Sequence, residues 1–108
     1  MTDFNTGTKV EVKALDLVVK QLGIAPNVIK IDTEGYEIKV LEGAKYALEH
    51  YKPKVLVASY HYPNELTEIV DFLSAIGFRC HVYRIPLTLQ RASETYVYAE
   101  PCQQNLCV

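Results

Sequence analysis

The sequence predicts an α/β domain: a mixed, mostly parallel sheet of about four to five strands with flanking helices and an antiparallel last strand. Three observations lead there. Segments with strand and with helix periodicity alternate along the chain. Two runs, 28–31 and 55–59, are short, apolar and β-branched instead of alternating, as expected of strands buried within a parallel sheet covered on both faces. The chain has 108 residues, one domain's worth, and a chain of that size buries roughly 65% of its unfolded surface.

Residues 1–8 are polar and turn-forming and read as a loose arm. Val10 and Val12 alternate with Lys9, Glu11 and Lys13, the period of a short half-buried strand. Leu15, Leu17, Val18, Val19 and Leu22 recur at helical spacing, predicting a helix over 14–22. Asp16 in its first turn suits the helix dipole, and Gly23 supplies a C-terminal cap. The run 28–31 is a strand ending at Asp32. Ile38, Leu41, Ala44 and Leu48 carry one helix through about His50, stopped by Pro53. The run 55–59 is the next strand. Pro63 and Asn64 make a turn, with Asn64 a candidate N-cap for a helix carrying Leu66, Ile69, Val70, Leu73 and Ile76 and ending at Gly77. Residues 80–84 and 95–100 read as two strands around a loop containing Pro86, and 101–108 as a tail. The whole of 1–108 reads as one domain.

Composition narrows the function classes. The chain is 49% hydrophobic and 22% charged, ordinary for a globular domain and far from disorder. Eleven basic against thirteen acidic residues leave a formal charge of −2, so no field for nucleic acid or an anionic membrane is expected. No apolar run is long enough for a membrane span, and the first residues lack a signal-peptide pattern. The three cysteines, Cys80, Cys102 and Cys107, form no C-x-x-C pair. Free thiols and a cytoplasmic location are expected, although Cys102 and Cys107 could pair if oxidised.

Ligands of open α/β sheets bind beyond the carboxyl ends of the strands. Two polar groups fall there: Asp32 with Glu34 after the first apolar run, and Ser59-Tyr60-His61-Tyr62 after the second. If the two strands are parallel neighbours, both groups share one rim. A carboxylate pair and a histidine there can orient a nucleophile, take a proton or hold a metal ion. The plainer alternatives are that Asp32 and Glu34 cap the following helix, that Gly35 permits a tight turn, and that His61 is a hydrogen-bonded loop residue. Tyr36, Tyr60 and Tyr62 either line the same pocket or sit at the core edge. Cys80 with His81 is a weak Cys–His pair, since both lie within one strand.

The string Ile29-Lys30-Ile31-Asp32-Thr33-Glu34-Gly35-Tyr36-Glu37, followed by Val40-Leu41-Glu42-Gly43-Ala44, resembles the central motif of the FkbM family of methyltransferases: a strand, D-x-E-G-x-E, then V-L-x-G-A. Val12 to Asp16 upstream, and Pro53 to Ser59 with His61 downstream, continue the likeness over roughly residues 10–84. The resemblance implies half of a class I, Rossmann-like, S-adenosylmethionine-dependent methyltransferase fold. It implies methyl transfer to a hydroxyl oxygen of a sugar or other small molecule. Asp32, Glu34 and His61 are then the catalytic candidates at the acceptor side, with a carboxylate or His61 as base.

Two departures matter. Many members carry Glu two residues before the histidine, where this chain has Ser59. Nor is there a Gly-rich turn after a first strand, since no two of the five glycines form G-x-G; no cofactor-binding residues are assigned and no metal is expected. The expected function is an S-adenosylmethionine-dependent O-methyltransferase in incomplete form, completed by another chain or segment. The alternative is a non-catalytic binding or assembly module derived from the same fold, and a small metal or hydrolytic enzyme is a weaker third. Without a neighbour, the strand at 28–31 would be a bare sheet edge. It is therefore expected to be covered by the arm around Val10 and Val12, by a second copy in a homodimer, or by a complementing chain.

Overall fold

The structure, a computed structural model, describes residues 12–86 and 93–103. The arm at 1–8, most of the strand expected at 10–12, and residues 104–108 of the tail lie outside these. Val12 itself is exposed and in no strand.

Helix α1 (Leu15–Leu22) ends as expected at Gly23, whose φ of +68° lets its N–H return to the carbonyl of Val19. Strand β1 (Val28–Ile31) follows. The single helix expected to run through His50 is instead two, α2 (Glu37–Glu42) and α3 (Lys45–Tyr51), broken at Gly43-Ala44. The cause is α1. The Asp16 N–H donates to the carbonyl of Gly43, and the Asp16 carboxylate accepts the N–H groups of Tyr46 and Ala47, both at 2.8 Å. Asp16 thus satisfies the free donors of a helix thirty residues further on, not those of its own helix. Glycine at 43 eases this approach, because a Cβ there would stand a tight 3.1 Å from Cβ of Ala14.

Strand β2 (Lys54–Ala58) leads through 59–64 to α4 (Glu65–Ala75). Asn64 occupies the N-cap position without making a side-chain cap. Strands β3 (Phe78–Pro86) and β4 (Ser93–Pro101) are longer than expected and antiparallel to each other.

The sheet order is β1-β2-β4-β3. β1 and β2 are parallel, with Ile31 opposite Val57, and β4 runs antiparallel to both β2 and β3. The parallel part is therefore confined to β1 and β2, the pair that carries the two polar groups of interest. Ile31, Val55, Val57, Val97 and Ala99 of the sheet pack against Leu41, Leu48, Ile69 and Leu73 of the helices. Each fully buried leucine or isoleucine there contributes about 1.5–3 kcal/mol. The opposite sheet face carries Lys30, Leu56, Tyr83, Tyr96 and Tyr98, all exposed or half-buried. Among the described residues, helices cover one sheet face where both were expected to be covered.

Cys80 is free, whereas Cys102 is disulfide-bonded, which corrects the free thiol expected there. No helix among the described residues is long and apolar enough to cross a membrane.

Candidate functional site

The chain turns sharply after β1. Glu34 has φ +56° and Gly35 φ +107°, two successive residues in a backbone region that costs a side chain energy and suits glycine. The turn brings the N–H groups of Thr33 and Gly35 onto the carboxylate of Glu37, at 2.6 and 2.9 Å. Glu37 is the first residue of α2 and is fully buried. The reach-back that links a helix's first turn to the N–H groups before it is therefore made by Glu37. Neither Asp32 nor Glu34 caps α2, which has no side-chain cap at Tyr36.

The segment after β2 repeats the device. Glu65, first residue of α4 and also fully buried, accepts the N–H of His61 at 2.8 Å. The imidazole of His61 is largely buried and lies between the two acids: Nδ1 is 3.2 Å from Oε2 of Glu37 and 3.4 Å from Oε1 of Glu65. On the solvent side, Nε2 is 3.7 Å from Oδ1 of Asp32, whose side chain is 38% exposed. The ring of Tyr60 stacks on His61 at 4.4 Å and meets Tyr96 edge-on at 5.9 Å. Parallel pairing of β1 and β2 brings Asp32 and His61 to one rim.

Two buried carboxyl groups this close do not both ionise freely. Burial, reinforced by the Glu37 carboxyl, pushes Glu65 up to about 7. Burial also pushes Glu37 upward, but hydrogen bonds from Glu65 and from the N–H groups of Thr33 and Gly35 outweigh it and hold Glu37 below the ordinary value. Of the two, Glu65 is the acid that holds a proton more readily and Glu37 the one that ionises more readily.

Of the three residues expected from sequence, the structure brings Asp32 and His61 together. Glu34 is exposed, and among the described residues it makes no hydrogen bond or ion pair. Tyr60 joins the site. Tyr62 donates instead to Glu68 at 2.7 Å, and Tyr36 is exposed. Cys80 and His81 point to opposite sheet faces: the Cys80 thiol neighbours Ser74, while His81 lies 3.2 Å from Glu100 and stacks on Tyr98. They form no catalytic pair. Ser59 is buried and its hydroxyl donates to the carbonyl of Val57.

Glu37 and Glu65 were not singled out from sequence, yet a signal for both is there. Glu37, Leu41, Ala44 and Leu48 fall on one stripe at helical spacing, as do Glu65, Ile69 and Leu73, and every one is fully buried. An acid at the head of an apolar stripe is a buried acid, which needs partners.

A donor atom from each of Asp32, Glu37 and His61 lies within 4.8 Å of the other two, close enough to share a cation.

Comparison with curated proteins gave no match. Among solved structures, the chain is similar to the methyltransferase FkbM of Methylobacillus flagellatus KT, with a TM-score of 0.56 and 28% identity over 69% of this chain and 20% of that one. This chain thus spans about a fifth of the length of that protein. The methyltransferase FkbM domain profile matches residues 2–80, which include the turn with Asp32 and Glu37, β2, and His61 with Glu65. The chain belongs to the FkbM methyltransferase family.

Proposed function

We propose that this chain forms the acceptor side of an S-adenosylmethionine-dependent O-methyltransferase, acting on a hydroxyl of a sugar or other small molecule. The observation that carries the reading is the Asp32–His61 pair, 3.7 Å apart at the carboxyl ends of two parallel neighbours, where open α/β sheets bind ligands.

Methyl transfer from a sulfonium is a displacement. The acceptor oxygen attacks the methyl carbon, the carbon–sulfur bond breaks, and the thioether leaves. The hydroxyl proton must go to a base. Nε2 of His61 and the Asp32 carboxylate face solvent together and offer that base, and they fix the hydroxyl on the line of attack. The buried Glu37 carboxylate at Nδ1 balances the positive charge His61 gains on taking the proton, and it holds the ring in place. Glu34 has no part in this scheme.

The cofactor's nucleotide is bound by chain outside the described residues. The outer edge of β1 is where a complementing chain or a second copy joins, because β1 ends the sheet and its backbone groups there lack a described partner strand. A cytoplasmic location goes with this reading.

The test is a chimera in which residues 28–84 replace the matching segment of the Methylobacillus flagellatus protein. It is incubated with S-adenosylmethionine labelled in the methyl group and a panel of sugar and polyol acceptors. The expected result is label transfer that Asp32→Asn and His61→Gln abolish while cofactor binding is unchanged. Unchanged transfer in both variants would overturn the assignment.

A further inference from the structure

The geometry points to a binding site for one divalent transition-metal ion, held by Asp32, Glu37 and His61 at the end of β1 and β2. It involves the same residues as the proposed methyl transfer but does not depend on that reaction: with an ion on Nδ1 the imidazole proton sits on Nε2, so the ion-bound state is distinct from the state in which His61 takes the acceptor's proton.

The donor set is one imidazole and two carboxylates from two strand–turn–helix units, with a ligand atom of each within 4.8 Å of the others. Neighbouring ligands on an ion with bonds of about 2.0–2.2 Å stand roughly 3 Å apart, and Nδ1 of His61 lies 3.2 Å from Oε2 of Glu37. That contact is not an aligned hydrogen bond: Nδ1 is buried and has no hydrogen-bond partner. Oε1 of the fully buried Glu65 carboxyl also faces Nδ1, at 3.4 Å. Buried polar atoms are rarely left unpaired. Here one of them, Nδ1, faces an excess of carboxyl groups, and a cation on it resolves the deficit.

The surroundings suit a resident ion. Glu37 is fixed by the N–H groups of Thr33 and Gly35, so it is already oriented, as ligating carboxylates are. Glu65 stands behind His61 and Glu37 as a supporting acid. Asp32 is the most exposed of the three, which leaves a coordination position open on the solvent side, where an acceptor oxygen can complete the shell. Imidazole with carboxylates favours manganese, iron or zinc over calcium, which takes oxygen ligands throughout.

The experiment is titration of the chelator-treated chain with Mn²⁺ alone, following the free-ion electron paramagnetic resonance signal, with no cofactor or acceptor present. One ion per chain is expected. Asp32→Asn and His61→Gln should each weaken binding roughly 10- to 100-fold, while Glu42→Gln, an exposed acid on the same helix as Glu37, should bind as the wild type does. Circular dichroism confirms the fold of each variant, and if His61→Gln fails to fold, the exposed Asp32 decides. Loss of the free-ion signal in the wild type alone supports the site. No saturable binding, or equal binding by wild type and Asp32→Asn, overturns it. Because methyl transfer is absent from this assay, its failure would leave the reading of the reaction standing, and failure of the chimera would leave the ion site standing.

Discussion

Glu37 and His61 meet at 3.2 Å, carboxylate oxygen to Nδ1, although 24 residues separate them in sequence and Glu37 has no exposed surface. The contact exists because two strand–turn–helix units lie side by side and each begins its helix with a buried glutamate. In the first unit the glutamate ties down Thr33 and Gly35; in the second, Glu65 ties down His61. The two acids rigidify the turns that present Asp32 and His61, and they place one negative charge and one proton behind the imidazole.

That shared proton has a pH signature. Glu65 is pushed up to about 7 from an ordinary 4.5, so the folded state holds its proton more tightly than the unfolded state does. Its contribution to stability is full below about pH 4.5, declines as pH rises, and is lost above about 7. Glu65→Gln stays neutral throughout. In chelator-treated protein, the stability of Glu65→Gln relative to wild type should rise as pH rises across that window. Urea denaturation at a series of pH values measures this, and a difference independent of pH would contradict the shared proton.

Asp16 should matter more than its position suggests. It accepts two backbone N–H groups at the start of α3, so Asp16→Ala should cost about 1–2 kcal/mol. Asp16→Asn keeps one acceptor oxygen and should cost less. Equal stability of Asp16→Ala and wild type in denaturant titrations would show that the contact contributes nothing.

Gly35→Ala tests the turn. A Cβ at Gly35 finds room, the nearest atom being Cβ of His61 at 3.9 Å, but φ of +107° strains any side chain. Destabilisation of about 1–3 kcal/mol is expected, together with a changed His61 imidazole resonance by NMR, since the turn carries the acid that faces the ring. An unchanged resonance would separate the turn from the site.

The edge of β1 yields a prediction about assembly. Val28 is 67% exposed and the strand's outer edge has no described partner. Light scattering should show a species larger than one chain, and Val28→Lys should shift it toward monomer by setting like charges against each other. A monomer for the wild type, with Val28 open to solvent, would contradict the covered edge.

Much of this was legible in sequence. The β-branched run at 28–31, the apolar run that becomes β2, and the Gly23 cap are local signals, and they place the rim where Asp32 and His61 meet. The break at Gly43 was not legible, because Leu41, Ala44 and Leu48 keep one helical period across it. What interrupts the helix is Asp16, a residue from another element. The sheet order was hidden for a similar reason. Nothing local to 95–100 states that it enters between β2 and β3. Within the site, Asp32 and Glu34 look alike as acids after a strand, and only the backbone turn at Glu34 and Gly35 distinguishes them. Glu37 and Glu65 drew no assignment of their own, though each stands at the head of an apolar stripe.

The central claim is that this chain supplies the acceptor side of the reaction and relies on chain beyond its described residues for the cofactor. Calorimetry of the isolated chain with S-adenosylmethionine tests it most directly. The account predicts no saturable binding into the millimolar range. One-to-one binding in the micromolar range would contradict it and would require a cofactor site within these residues.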